Sequence, residues 1–421
     1  MTTHATNSIV HRDSPHQQPA AKSSAVPLLD VARGTAPLRD EIVAALARVV
    51  DSGRFVLGPE CNQLEEAIAK ICGTRHAVAC ASGSDALLLA LMALGIGPGD
   101  EVIVPSFTFF ATASAVSRLG ATPVFVDIDP ATFNIDPSKI EAAITRATKA
   151  IIPVHLYGQS ADMGPILEIA LRRGLQVIED AAQAIGAKYR GTPVGALSAM
   201  GCLSFYPTKN LGGLGDGGML TTHDDNHAER LRLLRGHGMQ PRYYHKAIGI
   251  NSRLDTFQAA ALLVKLPHLE KWSDQRRANA ARYHELFLTA RLDRYLDLPP
   301  TADGCHHVWN QYSIRVADGK RDALRQHLAA QQIGSEIYYP VPLHRQECYT
   351  SLGYAEGSLP ETERAAREVL CLPIFPELTE REQQTVVAAV GEFFGVKMPL
   401  AEPSIAAPHF HTAPVAARKL A

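Results

Sequence analysis

No C-x-x-C pair occurs in this chain, no apolar run approaches the ~18–20 residues that span a bilayer, and neither sign of charge dominates. Each absence excludes something. Without paired cysteines there is no zinc-ribbon or thioredoxin-like site. The seven cysteines (Cys61, Cys72, Cys80, Cys202, Cys305, Cys348 and Cys371) stand singly, as buried thiols do in a reducing compartment. Met1 to Ala25 is polar and lacks a signal-peptide core, so a cytoplasmic protein is expected, with no membrane partner. With 41 basic against 43 acidic residues and a net charge of −2, no basic face for nucleic acid is indicated. There is no G-x-x-x-x-G-K-[ST] loop, and no G-x-G-x-x-G after a first strand, so neither a P-loop nor a dinucleotide site is supported.

What is present, in 421 residues, is enough chain for two or three domains, or one large domain with a smaller partner. Residues 1–27 and 398–421 read as disordered arms, rich in Ala, Pro, Ser and His. His409 and His411 could bind a metal there, but exposed histidines on a flexible end explain them far better, and no metal site is expected. Between the arms, short apolar runs alternate with helical patterns. Strands are expected at 77–80, 101–105, 122–126, 150–154 and 176–179, and helices at 38–50, 63–71, 85–94, 112–119 and 164–173. The strands are continuously apolar, which predicts burial on both faces of a mostly parallel α/β sheet. A large domain over 28–266 is expected. A smaller α/β domain over 267–397 should follow, with a long helix from Pro267 to Ala290, strands within 307–316, and helices at 321–332 and 379–394. Ligands of such sheets sit at the carboxyl ends of the strands.

Three segments follow strands and carry suitable groups. Ala81-Ser82-Gly83-Ser84-Asp85 opens a helix whose free N–H groups suit a phosphate, although a Ser-Gly-Ser cap is commonplace. Val177-Ile178-Glu179-Asp180 ends an apolar run in a carboxylate, and a helix cap explains that equally. Ser204-Phe205-Tyr206-Pro207-Thr208-Lys209 places a lysine between a β-type run and a glycine-rich turn. Most lysines are solvated. These flanks suit a partly buried amine, and the glycines through Gly218 suit a bulky cofactor. Together the segments supply a pyridoxal 5′-phosphate site: Lys209 as the amine, Asp180 to keep the pyridine nitrogen protonated, Ser84 and Ser204 for the phosphate, and Phe109 for the ring.

These motifs, with Pro-Ser-Phe-Thr-Phe at 105–109, Glu-Asp-Ala-Ala-Gln at 179–183 and Gly-Ile-Asn-Ser-Arg-Leu-Asp at 249–255, make residues 28–397 similar to the DegT/StrS family of nucleotide-sugar aminotransferases. The resemblance implies the fold-type I α/β architecture: a mostly parallel seven-stranded sheet flanked by helices, with a smaller C-terminal domain. It implies Lys209 as the Schiff-base lysine, Asp180 as the pyridinium partner, Gln183 near the cofactor's phenolic oxygen, and Phe109 stacked on the ring. Gly83, Ser84, Asp85 and Ser204 match phosphate positions, Ser84 and Asp85 through backbone N–H groups. Asn251 matches an asparagine that reaches the phosphate from a neighbouring subunit, which implies a homodimer with shared sites. Phe55, His237, Tyr243, Tyr338 and His344 match the substrate pocket, while ordinary loop packing accounts for each equally. Trp309 and Tyr312 read as core. The implied reaction moves an amino group from glutamate to a keto group of a nucleotide-linked hexose. Tyr206, where branches acting at C4 often carry His, inclines the reading to C3. Two rivals follow from the same residues. A sugar dehydratase on this fold would replace the lysine by histidine. A non-catalytic regulator would leave the Lys209–Asp180–Gln183 set unexplained.

Overall fold

The computed structural model describes residues 25–396. Seven strands build the main sheet: β1 (His76–Cys80), β2 (Glu101–Pro105), β3 (Thr122–Val126), β4 (Thr148–Ile151), β5 (Gln176–Asp180), β6 (Met200–Ser204) and β7 (Gly218–Thr222). Their order is β1-β7-β6-β5-β4-β2-β3, and all neighbours are parallel except β7, which runs antiparallel to both β1 and β6. The register sets Gly218 opposite both Cys80 and Ser204, so the carboxyl ends of β1 and β6 meet the start of β7 at one edge.

Helices cover both faces, and this explains the unbroken apolar runs. Five matter for the site: α1 (Pro59–Cys72), α2 (Gly83–Ala93), α3 (Ala111–Arg118), α4 (Thr256–Lys265) and α5 (Leu269–Thr289). Alternate side chains of β1 point to opposite faces. Val78 and Cys80 pack with α2 and α3, while Ala77 and Ala79 pack with α1 and α4. In α2, Leu87, Leu88, Leu89 and Leu91 are all buried, each stabilising by about 1.5–3 kcal/mol. Ser82 caps this helix, its Oγ accepting from Asp85 N at 3.0 Å.

A smaller sheet, β8 (Leu296–Asp297), β9 (Tyr312–Val316) and β10 (Val369–Leu372), is antiparallel throughout and packs on α5 through Tyr283, Phe287 and Tyr312. Trp309 and Tyr312 are buried in this core, as expected. Several boundaries differ from the sequence reading. The helix expected from Pro267 begins at Leu269, after a 3₁₀ turn over Leu266–His268. The strand expected across 307–316 forms only from Tyr312. Before it, Val308 N and Asn310 N donate to Gly158 O and Tyr157 O, leaving no ladder partner. Val26, expected within the N-terminal arm, is instead fully buried and bridges Ile333 in parallel. Residues 1–24 and the 397–421 stretch, with His409 and His411, lie outside the described residues. Among the described residues no helix is long and apolar enough to cross a membrane, and no group of three or more His, Cys, Asp or Glu side chains could hold a metal.

Candidate active site

A cavity of about 620 Å³ opens at the carboxyl edge of the main sheet and is lined by Gly83, Ser84, Phe109, Asp180, Gln183, Ser204, Lys209 and Tyr338 among others. These come from five separate stretches of chain.

The Ser82–Ser84 turn lies directly against β6 and β7, and glycine is what permits it. A Cβ at Gly83 would stand 2.7 Å from Ser204 Cβ, and one at Gly218 would overlap the Ser82 carbonyl. The result is a cradle at the start of α2, where the first N–H groups of the helix have no intrahelical acceptor. Of the two N–H groups expected to serve a phosphate, that of Asp85 is already taken by the Ser82 cap, and Asp85 does not line the cavity. The glycines after Lys209 also have a different use from the one read in the sequence. A Cβ at Gly212 would overlap Pro207 O, and one at Gly213 would stand 2.9 Å from Gln258 Oε1. They give room to the chain itself, so that the lysine loop folds tightly, with Lys209 N donating to Tyr206 O at 2.8 Å.

Burial pushes the Lys209 ammonium down to about 8, against the opposing pull of the Asp180 carboxylate. Burial pushes the Asp180 carboxyl up from the usual range. Two donors oppose that shift: Thr112 Oγ1 donates to Oδ2 at 2.7 Å, and Ala182 N to Oδ1 at 3.2 Å. The preceding Glu179 turns to the other face of the strand and is fully buried. It accepts from Gly195 N (2.7 Å), Leu197 N (2.9 Å), Ser198 N (3.0 Å) and Ser198 Oγ (3.0 Å), and pairs with His155 Nε2 (3.0 Å). Gln183 is oriented at both ends: Oε1 accepts from Tyr157 N at 2.6 Å and Nε2 donates to Tyr339 OH at 3.3 Å. Burial raises the Tyr339 phenol, keeping it neutral. Phe109 is 57% exposed, with its ring 6.1 Å from that of Tyr339.

Not every expected residue is here. His344 is buried elsewhere: its ring meets Ser106 Oγ at 2.7 Å and Glu363 Oε1 at 3.2 Å, and it is absent from the cavity wall. Phe55 stacks on Phe257 at 5.6 Å. His237, Tyr243 and Asn251 are exposed, with Asn251 Oδ1 accepting from Arg253 Nε at 3.0 Å. None of these lines the cavity within one chain. Conversely, the sequence reading missed Thr112 and Gln311, while Tyr338 and its neighbour Tyr339 do line the cavity. Thr112 read only as a helix start, and its partner Asp180 is 68 residues away.

The polar groups present fit pyridoxal 5′-phosphate: an amine with lowered pKa, a buried carboxylate, a glycine-shaped cradle at a helix start, and exposed aromatic surface. The model of the DegT/DnrJ/EryC1/StrS aminotransferase family matches residues 37–391. A protein named pleiotropic regulatory protein, from Geobacillus stearothermophilus, is 55% identical over 369 residues, covering 88% of this chain and 98% of its own length. A UDP-N-acetyl-3-dehydro-alpha-D-glucosamine 3-aminotransferase from Acidithiobacillus ferrooxidans is 49% identical over 369 residues, covering 88% and 98%. The crystal structure of S. venezuelae DesV, in complex with a ketimine intermediate, has a TM-score of 0.85 at 48% identity, covering 88% of this chain and 98% of that one. With a matching family model over most of its length and relatives alike from end to end, this chain belongs to the DegT/DnrJ/EryC1/StrS aminotransferase family.

Proposed function

We propose that this aminotransferase uses pyridoxal 5′-phosphate to move an amino group from glutamate to the C3 keto group of a hexose carried on a nucleoside diphosphate. The observation that carries the reading is the convergence on one cavity of the Lys209 amine, with its pKa near 8, and the buried Asp180 carboxylate. Similarity to a 3-aminotransferase acting on a UDP-sugar supports C3, as does Tyr206 in the cavity wall.

When bound, the cofactor supplies an aldehyde for an amine and a ring that takes up the electron pair of a broken C–H bond. The chain's own residues do the rest. Gly83, Ser84 and Ser204 would hold the phosphate, Phe109 the ring, and Gln183 the phenolic oxygen. Ionised Asp180 keeps a proton on the ring nitrogen, with the Thr112 hydroxyl and the Ala182 N–H stabilising its charge. A pKa near 8 leaves an appreciable share of Lys209 neutral around pH 7.5, so Nζ can take the proton from the donor's α-carbon and return it on the other side of the transfer. Residues 28–266 form the cofactor-binding domain in this reading, and 267–397 the smaller domain that brings Tyr338. Asn251 serves the partner's site in a homodimer, and the seven free cysteines fit a cytoplasmic enzyme.

The test is optical and chemical together. Cofactor-loaded protein should change its visible absorbance when glutamate is added, and recover it when a 3-keto-hexose nucleotide follows. Lys209→Ala should bind the cofactor without turnover. Sustained turnover by that variant would refute the assignment of the lysine.

A further inference from the structure

One buried polar atom in the cavity wall lacks any hydrogen-bond partner among the described residues: Oε1 of Gln311. Native proteins rarely leave a buried acceptor unmet, and those that do tend to reserve it for a ligand or a water. The rest of Gln311 is firmly held. Its N–H donates to Tyr157 O at 3.3 Å, beside that of Asn310 at 2.8 Å. Asn310 Nδ2 donates to Asn210 Oδ1 at 2.9 Å, and Asn210, which follows Lys209, donates from Nδ2 to Val308 O at 2.9 Å. Gln311 is therefore anchored to the lysine loop and to the Tyr157 segment that orients Gln183. Its amide oxygen alone is buried and unspent, in a residue that lines the same cavity as Lys209 and Asp180.

We propose that Gln311 is a specificity-determining residue that hydrogen-bonds a hydroxyl of the keto-sugar next to the reacting carbon. This rests on the sugar-nucleotide reading above and names a contact within it. The identity of the ligand group follows from what each bound group can offer. Phosphate and diphosphate oxygens accept only, as do the carboxylates of the amino donor. The ring N–H belongs to Asp180. Amine nitrogens are engaged at the reacting carbon itself. Sugar hydroxyls remain, and a hydroxyl can donate to the unpartnered Oε1. A wall built to pair with a hydroxyl also rejects an analogue that lacks one, because the amide is then left buried and unpaired.

The experiment uses the full chain loaded with cofactor and follows the two half-reactions separately. For the wild type, a nucleotide keto-sugar lacking the hydroxyl next to the keto carbon should show kcat/KM lower by about 10- to 100-fold than its hydroxylated parent. Gln311→Leu should lose a similar factor on the parent sugar and nothing further on the deoxy analogue. Its half-reaction with glutamate should stay within about twofold of wild type. Gln311→Glu keeps an acceptor and should retain most of the preference for the parent sugar. Losses that simply add, or an equal loss with glutamate, would overturn the inference while leaving the aminotransferase reading intact. Failure of the wild type to aminate any keto-sugar nucleotide would overturn both.

Discussion

Lys209 is an ammonium held where burial disfavours its charge, and the sign of that effect is testable. Its pKa falls from the ordinary 10.5 to about 8. Between those values the unfolded chain binds a proton that the folded chain does not, so stability rises with pH across that window, and the full cost is present below pH 8. Cofactor-free Lys209→Met should therefore be more stable than the wild type at pH 7, by on the order of 1 kcal/mol. The advantage should shrink as the pH approaches 10.5, and melting temperatures measured across that range decide the matter. Thr112 offers a second test. Its hydroxyl favours the ionised form of Asp180, so Thr112→Val should raise the Asp180 pKa further and move the acid limb of the kcat/KM profile to higher pH. An unshifted limb would show that the hydroxyl only packs. The lysine and the aspartate were both legible in the sequence, because each closely follows an apolar run. Thr112 was not, because its meaning depends on a contact that only the folded sheet creates.

The elements that shape the proposed cofactor cradle depend on close approach of one stretch of chain to another. Gly218 begins the one antiparallel strand of the sheet, and a methyl group there would overlap Ser82 O. Gly218→Ala should displace the Ser82–Ser84 turn, weaken cofactor binding at least about tenfold, and destabilise the protein by about 1–3 kcal/mol. Gly97→Ala, where an added Cβ meets nothing within 4 Å, should change stability by less than about 0.5 kcal/mol. Cofactor titration and denaturant midpoints of the two variants make the comparison, and equal effects would refute a steric role for Gly218. The parallel strands β2, β3 and β5 were plain in the sequence as short apolar runs. Strand β7 was hidden, since Gly217-Gly218 reads as turn and nothing local marks a chain reversal. The same glycines read as space for a ligand, and Gly217 does line the cavity, yet a Cβ at Gly218 would meet the Ser82 main chain and one at Gly217 the side chains of Leu254 and Phe205.

At the scale of the whole molecule, the surface carries apolar side chains that a lone chain would leave in water. Ile248 is 93% exposed, Tyr243 74% and Tyr244 70%, in the same stretch as Asn251. An exposed apolar stretch of this kind suits the proposed dimer interface. The position of Asn251 outside its own cavity fits a residue that serves a partner's site. A two-fold dimer then makes a quantitative prediction. Lys209→Ala and Asn251→Ala protomers, each nearly inactive alone, are unfolded together and refolded in equal amounts, so that half of the dimers are mixed. If Asn251 acts across the interface, every mixed dimer contains one site with both residues intact and one with neither. Activity should then return to about a quarter of the wild-type value. If Asn251 acts within its own chain, no site in any dimer is intact and the mixture stays as inactive as its parents. Native mass spectrometry establishes that mixed dimers have formed, so silence from a confirmed mixture would show that each site is complete within one chain.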